Sequence, residues 1–521
     1  MAVAPLILLV ACATAPETAP TSPVSGAVAA DHPLASRAGA DVLRAGGNAV
    51  DAAIAAALSS GVVQPTGSGL GGGGFAVVVT PDGTATTFDF REVAPAAATR
   101  DMFLAQGASS TIGGLAVAVP AEGIGLAKLH ERFGKAPMGS IAAPAIEQAS
   151  KGFETGPHLA EALLQAPDMA ALFAPGNVRA GLAEALRAWV TTRGEAFRTG
   201  WVAEDMVDAA RAAGGVLTLA DMAAYAVIER EPLRGTYGGR AVITMPPPSS
   251  GGVALLQMLG ATAGVADPHC AVEAAKHAMA DRAAYGGDPS FVPVDVSRLL
   301  SSERIGAIRA DCGPATFPPE HYAPPVASVK DAGTLHISVI DGSGMAVALT
   351  TTINTSFGSK VVAPRSGIVL NNEMDDFAAR PGTPNAFGLI QGEANAVEPG
   401  KRPLSSMTPT VVLGADGRPE LAVGGSGGPT IITATYQVIR GVLDEGRSAQ
   451  AAVDALRWHH QWQPNVLFIE PGHADMAGFE AHGHVLKEAK AFSAVQAVRR
   501  TAAGFEAASD PRKHGAPVVL P

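Results

Sequence analysis

The sequence predicts an α/β (α+β) fold built in layers, with sheet covered by helices on its outer faces. Three observations predict it. Ala/Leu-rich helical spacing dominates from His32 to about residue 290, short apolar runs separated by turn residues take over from Thr334, and helical spacing returns after residue 430. Helices and strands that each carry an apolar face must bury it against another layer.

The elements follow in order. The opening stretch MAVAPLILLVACATAPETAPTSPVSG holds an apolar run too short to span a bilayer but of the length of a signal-peptide core. Leu9-Val10-Ala11-Cys12 resembles a bacterial lipoprotein cleavage box, which would make Cys12 the lipidated first residue, although no Lys or Arg precedes the run. The expectation is a periplasmic or otherwise extracytoplasmic protein, tethered to membrane through Cys12. Residues 13–28, rich in Pro, Thr, Ser and Ala, read as a flexible tether.

From His32 two helices are expected, separated at Gly46-Gly47. GLGGGGFAVVVTPDGTATTFDFRE reads as a glycine-rich loop and a hairpin turning at Pro81-Asp82-Gly83. Helical spacing fills 117–235, and MPPPSSGG is a turn because three consecutive prolines suit neither a helix nor a central strand. A further helical stretch covers 252–290, and the proline-rich 311–330 reads as an exposed connector. Strands are expected at 335–340, 345–353, 361–370, 409–413 and 420–424, then helices in TIITATYQVIRGVLDEG and SAQAAVDALRW.

Composition narrows the function. With 47% hydrophobic and 16% charged residues the chain is globular, and a net charge of -11 argues against a nucleic-acid-binding surface. No Cys/His spacing of a metal site is present, so no metal is predicted, and His459-His460 and His482/His484 read as structural pairs. Cys270 and Cys312 are compatible with one disulfide, but their proximity is not legible.

The stretch DAGTLHISVIDGSGMAVALTTTINTSFGS places Gly333-Thr334 just before a hairpin. Thr334 is either an ordinary β-branched strand opener or a nucleophile. Other stretches bear on the choice. Glu373, Asp375 and Asp376 follow an apolar strand and suit an ammonium, or are plain loop acids. Ser405-Ser406 offer hydroxyls and amides for a carboxylate, or form an ordinary serine turn. The amides of Gly427 and Gly428 precede a helix, where unpaired N–H groups favour an anion or a developing oxyanion. Arg91 ends a hairpin strand, free to fork onto a carboxylate or to pair with Glu92. Together these groups describe a site for the α-amino acid end of a substrate, with acyl transfer at its side chain.

The motifs GGNAVDAA, GLGGGGF, DFREVAPAAATRDMF, MPPPSSGG, GTLHISV, TTTINTSFGS, GIVLNNEMDDF, NAVEPGKRPLSSMTPT and GGSGG, in that order over about residues 30–470, resemble the γ-glutamyltransferase (γ-glutamyltranspeptidase, glutathione hydrolase) family of self-processing N-terminal nucleophile hydrolases. The resemblance implies a four-layer αββα sandwich and autocleavage at Gly333-Thr334. The products would be a large subunit (29–333) and a small subunit (334–521), associated as a heterodimer.

It further implies Thr334 as nucleophile, with its freed α-amine as base, and Thr352 as its support. Gly427 and Gly428 would form the oxyanion hole. Arg91, Ser405 and Ser406 would hold the substrate α-carboxylate, and Asn354, Glu373 and Asp376 its α-amino group. Glutathione or another γ-glutamyl compound would be the donor, with water, an amino acid or a dipeptide as acceptor, and no cofactor. Two positions depart from the family pattern: Leu335 where relatives carry a small or hydroxyl residue, and Phe387 where a tyrosine latches the lid loop. A glutaryl-cephalosporin acylase of the same fold is the alternative, though it would not need Glu373 and Asp376. A non-catalytic binding protein is a third reading, against which Thr334 and the glycine turn both stand.

Overall fold

The structure, a computed structural model, describes residues 25–173, 176–322, 333–379, 385–389, 391–489 and 493–521. The Cys12 box, most of the expected tether and the end of the connector (323–332) lie outside the described residues.

In chain order the strands that build the two large sheets are β1 (Gly26–Ala30), β2 (Gly73–Val79), β3 (Ala85–Phe90), β4 (Ile228–Arg230), β5 (Leu233–Tyr237), β6 (Arg240–Thr244), β7 (Leu335–Asp341), β8 (Ala346–Thr352), β9 (Thr410–Leu413), β10 (Pro419–Ser426), β11 (Ala494–Thr501), β12 (Gly504–Ser509) and β13 (Val518–Leu520). One sheet has the order β13-β1-β7-β8-β2-β3-β4, the other β12-β11-β10-β9-β6-β5. The central pairings are antiparallel, with Leu335 opposite Thr351 and Thr352 opposite Gly73.

Side chains alternate across each strand, so a strand covered on both faces is apolar throughout. In β7, Ile337 and Val339 join the core beneath one helical layer, while Ile340 faces the opposite sheet. In β8, Val347 and Leu349 face helices, and Ala346 and Ala348 face the opposite sheet. This double burial is why the β7 alternation reads only loosely. The helices α1 (Pro33–Arg44), α2 (Ala49–Val63) and α3 (Glu122–Phe133) cover the first sheet, and α4 (Ala180–Thr192) joins the same apolar core from further out. The second is covered by α5 (Gly251–Ala261) and α7 (Thr430–Leu443), with α6 (Pro268–Tyr285) packed on α5. The result is a four-layer αββα sandwich.

Local signals account for the boundaries. His32 caps α1 through Nδ1, which accepts from the Leu34 amide at 3.1 Å, with Pro33 in the first turn. Asn48 and Asp51 close a reciprocal capping box on α2, and Gly46 (φ 90°) makes the break between the two helices.

Some expectations need correction. Residues 361–370 are not a strand; they turn back on themselves through a single Val362–Val369 bridge, because Pro364 lacks an amide donor and Gly367 has φ 68°. The expected tether runs too far, since Gly26–Val28 already pair with Val339–Asp341 in β1. The region 117–235 ends in β4 and the start of β5. Cys270 and Cys312 are joined as a disulfide that fastens α6 to the segment leading toward Thr334. Among the described residues no helix is long and apolar enough to cross a membrane.

Candidate active site

Thr334 immediately precedes β7 and is 4% exposed. Its Oγ1 lies 2.5 Å from the Gly333 carbonyl oxygen and 3.2 Å from Thr352 Oγ1. Thr352, at the end of β8, accepts from the Asn354 amide at 2.8 Å and lies 3.4 Å from the same carbonyl. The run Thr350-Thr351-Thr352 is thereby explained. Thr350 Oγ1 contacts His336 Nδ1, Thr351 contacts Ser68, and Thr352 meets the nucleophile candidate.

Glycine is required behind this point. A Cβ on Gly67 would stand 3.0 Å from the Thr334 nitrogen, and one on Gly333 would stand 2.7 Å from the Thr66 carbonyl.

Strand β10 of the second sheet ends at Ser426, and Gly427 (φ 123°) and Gly428 (φ 61°) turn the chain into α7. These left-handed backbones suit glycine alone and leave the turn at a helix N-terminus. Phe387 lies on this turn. A Cβ on Gly428 would come within 2.5 Å of the Phe387 ring, which is buried.

Arg91 is fully buried at the end of β3. It donates to Glu373 and Asp376, and through Nε to the Pro403 carbonyl at 3.3 Å. Glu92 lies 3.9 Å away, so the sequence alternatives resolve toward the two more distant acids. Burial works against the Arg91 charge, but Glu373, Asp376 and Glu92 outweigh it and keep the guanidinium protonated. Burial also pushes the Glu373 and Asp376 carboxyls upward, with Arg91 opposing. Glu92, whose carboxylate oxygens accept no hydrogen bond among the described residues, is raised to about 8 by burial against the pull of Arg91.

Asn354 adopts φ 75°, a conformation that Asn tolerates, and donates to the Asn372 carbonyl at 2.9 Å. Ser405 is held by its carbonyl, which accepts from the Ser250 amide and hydroxyl at 2.9 and 2.7 Å.

One cavity gathers Arg91, Thr334, Thr352, Asn354, Glu373, Asp376, Phe387, Ser405, Ser406 and Gly428. Gly333 precedes it and Gly427 lies next to it in the chain. Asp375 turns away, accepting from Ser110 Oγ at 2.6 Å and from the Ala386 amide at 2.8 Å.

Sequence reasoning missed Lys513. Its Nζ donates to the Thr334 carbonyl at 2.8 Å and to Ser426 Oγ at 2.7 Å, joining the nucleophile candidate to the glycine turn. Asp31, close by, accepts from the His336 amide at 2.7 Å, and burial lifts it to about 6 against the pull of Lys513. A single lysine in DPRKHG carries no local signal, because its partners are set only by the meeting of two sheets. His484 is not an isolated residue: it groups with His269 and Glu273, and His277 groups with Asp311 and His321. In the first group the Lys276 ammonium already sits 3.2 Å from Glu273. In the second, Asp311 bridges both rings at 2.7 and 2.6 Å.

Comparison with known proteins adds a separate line. The family whose profile matches, over residues 35–520, is gamma-glutamyltranspeptidase. The chain is 38% identical to the glutathione hydrolase proenzyme of Escherichia coli K12, covering 95% of this chain and 91% of that protein. It is 39% identical to glutathione hydrolase 2 of Arabidopsis thaliana, covering 85% and 82%. Among solved structures it resembles a cephalosporin acylase from Bacillus halodurans (TM-score 0.84, 27% identity, 98% of this chain and 99% of that one). It also resembles the Helicobacter pylori gamma-glutamyltranspeptidase (TM-score 0.53, 34% identity, 56% and 93%).

Proposed function

The chain belongs to the gamma-glutamyltranspeptidase family, and from that premise we propose that it cleaves itself between Gly333 and Thr334 and then transfers γ-glutamyl groups through an ester on Thr334. The observation that carries the proposal is the Thr334 hydroxyl against the Gly333 carbonyl, in a cavity lined by one guanidinium, two acids and two serines.

In the precursor the Thr334 hydroxyl attacks the Gly333 carbonyl carbon, with the Thr352 hydroxyl as the nearby donor for the oxygen that becomes anionic. The C–N bond breaks, the hydroxyl proton ends on the new α-amine, and water hydrolyses the ester to a Gly333 carboxylate. The amine then serves as base for its own hydroxyl, supplying proximity as well as deprotonation. The substrate α-carboxylate goes to Arg91, Ser405 and Ser406, and its ammonium to Asn354, Glu373 and Asp376. Thr334 Oγ1 attacks the γ-carbonyl, whose oxygen is received by the Gly427 and Gly428 amides, and the departing amine takes the proton. Glutathione and related γ-glutamyl amides are the donors, and water, amino acids or dipeptides resolve the ester.

The two fragments, one ending at Gly333 and the other spanning 334–521, would stay associated because β7 and β8 of the small piece lie between β1 and β2 of the large one. Export and lipidation at Cys12 belong to the same proposal. Palmitate labelling that persists in Cys12→Ala would remove that part.

The test is the denatured mass of the purified protein after incubation near neutral pH, followed by cleavage of γ-glutamyl and glutaryl anilides. Two fragments, the smaller beginning Thr334-Leu335-His336, with preference for the γ-glutamyl anilide, are expected. Thr334→Ala should remain one inactive chain. Cleavage persisting in that variant sinks the nucleophile, and glutaryl preference moves the chain to the acylase reading.

A further inference from the structure

The last turn of the chain reaches the nucleophile. Asp510 caps the single turn Pro511–Lys513, accepting from the Arg512 amide at 3.0 Å. That turn is pinned on both sides: Arg512 Nε donates to Glu470 at 2.6 Å, and Asp510 accepts from Arg457 at 2.7 Å. Lys513 therefore leaves a fixed backbone, and its Nζ bridges the two sheets. It donates to the Thr334 carbonyl, just before β7, at 2.8 Å and to Ser426 Oγ, at the end of β10, at 2.7 Å. Among the described residues no carboxylate lies within 4.0 Å of this ammonium.

Its position has a consequence once the chain is cut. Thr334 then carries a free α-amine, which must be neutral to take the proton of its own hydroxyl. Within one residue the nitrogen and the carbonyl oxygen are at most about 3.6 Å apart. With Nζ 2.8 Å from that oxygen, the ammonium stands within about 6.5 Å of the α-amine. A like charge at this range disfavours protonation of the amine. Thr334 is 4% exposed, so little water screens the pair.

The other charged groups nearby are engaged or neutral. In the cavity Arg91 is paired with Glu373 and Asp376. On β7 itself, burial keeps His336 neutral against Thr350. Gly67 and Thr352, which touch Thr334 from the glycine-rich loop and from β8, carry no charge. His158, on the helix Pro157–Gln165, and the α1 cap His32 are each lowered to about 4 by burial, with His514 facing His158. The opposing field comes from Asp31 at the end of β1, which is tied to the His336 amide at 2.7 Å and to Gln496 at 3.1 Å.

We propose that Lys513 is a positioning residue that straps the first residue of the small subunit to the glycine turn and, by its charge, keeps the freed Thr334 α-amine in its neutral, basic form. This rests on the self-cleavage and amine-base reading above. Lys513→Met removes the charge and both hydrogen bonds at similar side-chain length, whereas Lys513→Arg keeps the charge. Both are to be compared with wild type for kcat/KM on γ-glutamyl p-nitroanilide from pH 5 to 9, after intact mass confirms a fragment beginning at Thr334.

Without the cation the amine holds its proton to higher pH, so the acid limb of Lys513→Met should move upward by about one pH unit. That is the low end for a like charge at this range, because Lys513 is partly exposed and Asp31 opposes it. Its plateau should fall as the strap is lost, and Lys513→Arg should hold the limb at its wild-type position. A lowered plateau with an unmoved limb would reduce Lys513 to a strap and overturn the proposal, as would a limb displaced equally in both variants. If Lys513→Met does not process, Lys513→Gln takes its place under the same criteria. Whichever variant processes, a wild-type Thr334 α-amine that titrates at about 7.7–8.0 in acetic anhydride labelling, the range of a free α-amine, overturns the proposal. An uncleaved wild type would instead refute the self-cleavage reading on which it stands.

Discussion

Replacing Thr352 by valine keeps a β-branched side chain in β8 and deletes one oxygen. That oxygen accepts from the Asn354 amide at 2.8 Å, and lies 3.2 Å from Thr334 Oγ1 and 3.4 Å from the Gly333 carbonyl oxygen. Two separate losses follow. Asn354 is 2% exposed, so its amide would be left buried and unpaired, at about 1–3 kcal/mol of stability. The Gly333 oxygen would also lose a donor as it becomes an oxyanion, a loss that slows acyl transfer by about 100- to 1,000-fold where it has been measured. The 3.4 Å separation belongs to the resting precursor, and such contacts shorten as charge develops. The assay is a time course of intact mass on freshly purified precursor, alongside its thermal midpoint. Thr352→Val should fold with a lowered midpoint and accumulate as the single chain, while Thr352→Ser should process at close to the wild-type rate. If Thr352→Val processes with the wild-type half-life and only its midpoint falls, the hydroxyl is structural and the reasoning fails.

The remaining predictions concern glycine and buried titrating groups. Gly67→Ala would press a methyl against the Thr334 nitrogen at 3.0 Å, and displacing a nucleophile by such amounts costs on the order of 100-fold in rate. A wild-type processing rate would show that Gly67 does not set the attack geometry. His336, pushed by burial to about 3, is neutral when folded, whereas in the unfolded chain it titrates near 6.5. The unfolded state therefore gains its proton first, and the His336 contribution, complete above pH 6.5, is lost as pH falls toward 3. Glu122 has the opposite sign. Burial raises it from 4.5 to about 8, so its contribution is complete below pH 4.5 and is lost as pH rises through 8. Glu122→Gln should flatten the decline of unfolding free energy between pH 4.5 and 8 by up to about 5 kcal/mol, and an unchanged slope would count against a neutral Glu122.

Much of the site was legible because its groups stand in local patterns that chemistry makes recognisable. A threonine after glycine, acids after a strand and a glycine pair before a helix each keep their meaning in a short window. The layered fold was legible for a related reason, since double burial leaves strands apolar throughout and helices rich in alanine. Where reading failed, a local signal had been overruled. The apolar run 361–370 reads as a strand, yet Pro364 and Gly367 turn it back. The Ala/Pro segment before residue 28 reads as tether, yet Gly26–Ala30 completes the first sheet beside β7.

From its sequence alone this chain determined its helices and strands, the candidate nucleophile, and the chemistry of the groups expected around a substrate. Tertiary structure decided their partners. It set Arg91 on Glu373 and Asp376 rather than on Glu92, brought Lys513 to both Thr334 and Ser426, and joined Cys270 to Cys312. The physical reason is sequence distance. Caps, turns and periodicity act between residues a few positions apart, whereas these contacts join residues tens to hundreds of positions apart and exist only once the layers have packed together.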